Sequence, residues 1–212
     1  MNSIYIETRK NEELVNVITH LPGVLFGVVA TILLLLKSTN EPLSHMISYI
    51  VYGLTVVLIY GASSIYHNCK SDKIKDLFKK IDHACIYIFM AGCYTPFVIV
   101  NMEEPLKYYF LALVWTVAIV GVVYKFLSKY KNQYFSVALY LAFGFMCFGA
   151  KSQFLDLIPD LSFKFLVYGG VMYGIGVIFY LYRKIPYHHG IWHIFVILGS
   201  ACHFYAIFRT TS

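Results

Sequence analysis

Between Lys107 and Lys125 the chain reads Tyr108-Tyr-Phe-Leu-Ala-Leu-Val-Trp-Thr-Val-Ala-Ile-Val-Gly-Val-Val-Tyr124, a stretch without one charged side chain. As an α-helix such a run matches the hydrocarbon core of a bilayer, which takes about 20 residues to cross. Working outward, similar runs lie near 17–36, 44–66, 83–101, 134–150, 163–182 and 190–208, which with 107–125 predicts seven transmembrane spans. The fifth is short and the third opens beside charged Asp82, so six and eight are the alternative counts. Of the 212 residues, 59% are hydrophobic and 13% charged, and the mean hydropathy is +0.66. These values exclude a soluble globular domain and predict an all-α integral membrane protein, one seven-transmembrane helix bundle over residues 1–212.

The basic residues predict orientation, because Lys and Arg in short loops are retained in the cytoplasm. With seven spans, the N-terminus and the loops after spans 2, 4 and 6 hold twelve of the 17 Lys and Arg: Arg9, Lys10, five from Lys70 to Lys80, Lys125, Lys129, Lys131, Arg183 and Lys184. Lys37, Lys107, Lys151, Lys164 and Arg209 remain for the other side. The expected N-terminus is cytoplasmic and the C-terminus outside. The net charge of +6 then reads as topology and contact with anionic lipid, with no nucleic-acid partner implied. No cleavable signal is expected ahead of the first run. Five cysteines, Cys69, Cys85, Cys93, Cys147 and Cys202, stand at irregular spacing mostly inside spans, which predicts buried thiols rather than a disulfide framework. Gly23-x-x-x-Gly27 and Gly170-x-x-x-Gly174 predict helix-packing seams in spans 1 and 6. The segment Lys70–Lys80 is expected to be a solvated loop.

Ionisable residues are costly in a bilayer unless they face the bundle interior. Under the predicted topology, His20, Ser63, His67, Asp82, His189 and His193 all fall at cytoplasmic span ends, at one depth. His189 and His193 are four residues apart on one helical face, and His67 comes from another helix. Three imidazoles match the ligand count of a catalytic zinc site with an open position. Zn2+ is preferred because the donors are nitrogen-rich. Asp82 is then the candidate general base and Ser63 the candidate donor to the water or the substrate carbonyl. Alternatively, Asp82 caps a helix or pairs with Lys79 or Lys80. Glu13, Asn16 and His20 share a face in the first helix and are expected to orient the ligands. His188 and His83 should point elsewhere, and His45 and His203 lie at the opposite span ends.

Four motifs in order, Glu13/Asn16/His20, Ser63-x-x-x-His67, Lys80-Ile-Asp82-His83 followed by Ala91-Gly-Cys-Tyr-Thr-Pro96, and His189-x-x-x-His193, resemble the hemolysin III branch of the progestin and adipoQ receptor (PAQR) superfamily over nearly the whole chain. The resemblance implies a seven-helix fold, zinc at His67, His189 and His193 with Asp82 nearby, and kinship with alkaline ceramidases and other CREST-type membrane hydrolases. Residues and resemblance together lead to a zinc-dependent hydrolase of a lipid amide or ester bond acting in bacterial membrane lipid homeostasis, with membrane lipids as partners. A hemolysin-type cytolysin and a zinc-containing sensor without turnover are the alternatives, and the oligomeric state is left open.

Overall fold

In lipid every backbone N–H and C=O must find a partner inside its own segment, so apolar runs of this length fold as helices. The computed structural model describes residues 2–128, 132–150 and 154–210. Helices α1 (Asn2–Lys37), α2 (Leu43–Asn68), α3 (Asp72–Asn101), α4 (Leu106–Leu127), α5 (Gln133–Gly144), α6 (Asp160–Leu181) and α7 (His188–Thr210) follow one another, with no strand among the described residues. Six of them, all but α5, are long and apolar enough to cross a membrane. Arg9, Lys10, Lys129, Lys131 and Lys151, which enter the charge comparison above, lie outside the residues whose side chains are described.

The expected fifth span at 134–150 breaks at Gly144, where the α-helix gives way to a 3-10 segment, Phe145–Ala150. The cause is tertiary. The Tyr94 hydroxyl of α3 donates to the carbonyls of Phe143 (3.1 Å) and Gly144 (2.9 Å) and accepts from the Cys147 amide (3.3 Å), entering the ladder that would have continued α5. The other end of α5 is secured in its own sequence: Asn132 accepts from the amides of Tyr134 and Phe135 at 2.9 and 3.2 Å.

A second correction concerns the start of the third span. Helix α3 begins at Asp72 rather than near residue 83, so most of the expected Lys70–Lys80 loop is helical and Asp82 lies well inside a helix instead of capping one. Asp72 in the first turn complements the helix dipole, and Lys80 pairs with Asp76 across one turn at 4.0 Å.

Helices α2 and α3 form the buried centre, with Tyr49, Tyr52, Val56 and Tyr60 of α2 packed near Phe89, Ala91, Phe97 and Val98 of α3. Around them α1 packs on α2 and α7, α4 on α3, and α6 on α7, whereas α5 touches α3 and α6 only lightly. The Lys37 ammonium donates to the Phe208 carbonyl at 2.8 Å, joining the end of α1 to that of α7. The first glycine pair is a packing seam: a Cβ on Gly23 would lie 2.3 Å from the Tyr60 ring, and one on Gly27 2.9 Å from Val56. The second is not, since nothing lies within 4 Å of a Cβ on Gly170 or Gly174. Helix α6 instead meets α7 through Gly169 and Gly176. All five cysteines are free.

Candidate metal centre

The chain turns into α7 through Tyr187, whose φ of 56° is left-handed, so His188 and His189 open the helix and His193 follows one turn later. Gly190 sits between the two histidines. A Cβ there would lie 2.7 Å from Val15 Cγ1, and its absence lets α1 lie directly against α7. That approach brings the backbone of α1 to the imidazole: His193 Nδ1 is 3.1 Å from the Asn16 carbonyl oxygen and 3.1 Å from Thr19 Oγ1. Thr19 gives its own proton to the Val15 carbonyl at 2.8 Å, so both neighbours accept and His193 carries its proton on Nδ1. The lone pair is thereby left on Nε2.

His67, in the last turn of α2, receives the same treatment from another residue of α1. Its Nδ1 donates to Glu13 Oε2 at 2.7 Å, with the Asn16 amide nitrogen 3.4 Å away, and its buried Nε2 has no partner among the described residues. The other Glu13 oxygen accepts from Lys75 Nζ at 2.5 Å, which fixes the carboxylate from both sides. His189 completes the group. Its ring centroid lies 5.0 Å from that of His67 and 4.6 Å from that of His193. One ligand atom from each of His67, His189 and His193 lies within 4.8 Å of the others, so one metal ion can be held by all three. An orphaned, buried imidazole lone pair beside two more suits a borderline cation such as Zn2+.

His20 stacks on His193, with centroids 3.4 Å apart and planes 15° from parallel, and its Nδ1 lies 2.7 Å from Ser63 Oγ. Its buried Nε2 has no partner among the described residues. His20, Ser63, Asp82, His189 and His193 together line one end of a cavity of about 460 Å³. The rest of its wall is mostly apolar, built from Phe89, Met90, Phe97, Val137, Phe163, Val171 and Val196 among others, with His83, His203 and four tyrosines between them.

Every candidate residue named from the sequence therefore stands in or beside one cluster, although Asp82 sits in the cavity wall and not among the three imidazoles that meet. His188 is turned away, its Nδ1 donating to the Phe179 carbonyl at 3.1 Å, while His83, expected to point elsewhere, lines the cavity. His45 bonds Glu41 at 3.0 Å at the other end of α2. His203 also lines the cavity, ten residues beyond His193 or about 15 Å along the axis. Two participants escaped the sequence reading. Thr19 continues the 3–4 residue spacing from Glu13 and Asn16 and was visible there. Lys75 was hidden as long as residues 72–80 were read as a loop.

A multi-pass helical membrane protein carrying a histidine cluster at the end of an apolar cavity is the class that fold and site define. Within that class the chain belongs to the Haemolysin-III related family, whose model matches residues 8–204. It is similar to the Hemolysin-3 homolog of Bacillus subtilis, 34% identical over 92% of both chains, and to Hemolysin-3 of Bacillus cereus, 34% identical over 92% of this chain and 90% of that one. The Monocyte to macrophage differentiation factor of Homo sapiens is 26% identical over 93% of this chain and 84% of its own, which places the family in the wider PAQR group. No solved structure matches.

Proposed function

We propose that the protein is a zinc-dependent hydrolase that cleaves an amide or ester bond of a membrane lipid from within the bilayer, contributing to membrane lipid homeostasis. It crosses the membrane seven times, with α5 and its 3-10 extension as the fifth crossing, the N-terminus cytoplasmic and the C-terminus outside. The observation that carries the reading is the placement of His189, His193, Ser63 and Asp82 at one end of an apolar cavity of about 460 Å³, with His67 completing the imidazole group. A hydrocarbon chain fits such a wall, and its reactive carbonyl fits the polar end.

Zinc bound there would supply Lewis-acid polarisation of a carbonyl and activation of water at neutral pH. The residues do the rest. Glu13 and the Asn16 carbonyl hold the Nδ1 protons of His67 and His193, which keeps both Nε2 lone pairs directed inward. Asp82, in the cavity wall, takes up the proton released on attack and returns it to the leaving nitrogen or oxygen. Ser63 presents a hydroxyl to the same space, and the apolar walls keep bulk water from the reacting carbonyl.

Metal analysis of the purified protein tests the reading. About one zinc per chain, lost in His67→Ala, His189→Ala and His193→Ala, with cleavage of lipid amides or esters that Asp82→Asn removes, is the expected result. Folded wild type without stoichiometric metal would end it. The name Hemolysin-3 carried by the relatives keeps membrane lysis as a second reading. Dye release from liposomes that survives His189→Ala would favour lysis over hydrolysis.

A further inference from the structure

Helix α6 carries four glycines on two faces, and the faces meet different surroundings. A Cβ on Gly169 would lie 2.2 Å from His203 Cδ2, and one on Gly176 2.7 Å from Trp192 Cε3, so this pair seats α6 on α7. Gly170 and Gly174, about 100° and about 140° round the helix from Gly169, have open space where a Cβ would stand. Both line the cavity, in a stripe that Phe163, Val167 and Val177 continue at helical spacing. Gly170, which is exposed, and Gly174, which is half-buried, share this cavity wall with Trp192 and Val196 of α7 and with Tyr140 and Leu141 of α5.

Two glycines on one helical face forgo stabilisation of the helix and leave neighbouring atoms without contacts. Polar groups at the head of the same cavity point to what occupies it: His20, 4% exposed and part of the cavity lining, has an Nε2 without a partner among the described residues. We propose that Gly170 and Gly174 are the specificity-determining positions of the cavity, opening a track along α6 for one unbranched hydrocarbon chain whose polar end lies at His20, His189 and His193. The proposal rests on the reading that a lipid chain enters the cavity and does not depend on turnover.

The track has a depth scale. Because Gly176 abuts Trp192 and Phe195 while Gly169 abuts Gly199 and His203, Gly174 lies roughly 5 Å and Gly170 roughly 11 Å beyond His193 along α7, at 1.5 Å per residue. An extended chain advances about 1.2 Å per bond, so these positions meet a bound chain near its fourth and its ninth carbon, roughly counted. Leu at either position should stop longer chains there and spare shorter ones.

The experiment is a length series of saturated fatty acids, about four to sixteen carbons, displacing a fluorescent fatty acid from full-length protein in nanodiscs, with melting temperature, metal content and oligomeric state recorded for each variant. In wild type each added methylene should tighten binding about fourfold until the cavity is full. Gly170→Leu should follow that curve to about eight carbons and then stay flat, leaving the longest chains at least tenfold weaker than in wild type. Gly174→Leu should flatten at about four. Both should fold, because the proposal requires open space at these positions, and a collapse of either variant would count against it. Leu variants that keep the wild-type length curve would overturn it, as would a change of oligomeric state in place of a change in chain length. Wild type without any length dependence would instead bring down the lipid reading itself.

Discussion

The two walls of the cavity are built on opposite rules. Along α1, α2 and α7 the polar side chains are tied to one another: Glu13 to His67, the Asn16 carbonyl and Thr19 to His193, His20 to Ser63, Tyr60 to Ser200. Along α5 and α6 the wall is aliphatic and aromatic, the two helices touch only lightly, and glycines hold space open. The first wall fixes the direction of each imidazole, which an ion requires. The second fixes a width, which is what a flexible chain requires. Packing density differs between the walls as the two proposed ligands require.

The largest effect expected from breaking this division is loss of the metal. His67→Ala and His193→Ala each remove one of three imidazoles whose orientation is already set, so affinity for zinc should fall by at least about 100-fold, measured by competition with a chelator. Unchanged zinc affinity in either variant would show that other groups hold the metal and that this cluster is a polar packing feature.

Next in size is a stability contrast between neighbouring residues of α6. Gly169→Leu drives a side chain into His203 and should cost about 3 kcal/mol or more, whereas Gly170→Leu, one residue along, should leave the melting temperature unchanged or raise it. Equal destabilisation of the two variants would erase the distinction between a packed and an open face.

That contrast also marks how far the sequence could be read. Six of the seven apolar runs became long helices because their length and composition alone satisfy the backbone in lipid. The fifth could not be read to its end, since the interruption at Gly144 is made by a tyrosine 50 residues away. The early start of α3 was masked by its lysines, which suit a solvated helix face as well as a loop. The histidines were legible because a buried imidazole demands a partner, and their spacing and shared span ends narrowed the partners to one another. The glycines were not, because the 4-residue spacing of Gly170 and Gly174 and the 7-residue spacing of Gly169 and Gly176 are both helical. Which pair meets a neighbour depends on how α6 is rotated against α7, and that is set by the rings of His203 and Trp192.

A smaller effect is expected at Glu13, which touches no ligand atom. Glu13→Gln keeps the shape and still accepts from His67 Nδ1, but removes the charge that raises the basicity of the imidazole. Zinc affinity should fall about tenfold, at the low end of what such partners contribute. A variant binding zinc as tightly as wild type would show that the hydrogen bond to His67 Nδ1 is enough without the Glu13 charge.

The smallest effect is the most discriminating, because two physical contributions oppose each other at Lys75. Its ammonium holds the second oxygen of Glu13 and lies over the Tyr66 ring at 5.4 Å. Seen from the metal it is also a like charge: at roughly 9 Å, across the Glu13 and His67 side chains, it repels a divalent ion by about 0.9 kcal/mol in water, and by less once salt screens it. Releasing Glu13 gives up a charge-assisted hydrogen bond contributing about 1.5 kcal/mol or more, part of which the freed carboxylate recovers from water. If positioning outweighs repulsion, Lys75→Met weakens zinc binding about threefold, Lys75→Arg restores it, and added salt leaves the difference standing. Tighter binding in Lys75→Met, fading as salt is raised, would show that Lys75 acts as a charge and that the ordered wall of the site ends at Glu13.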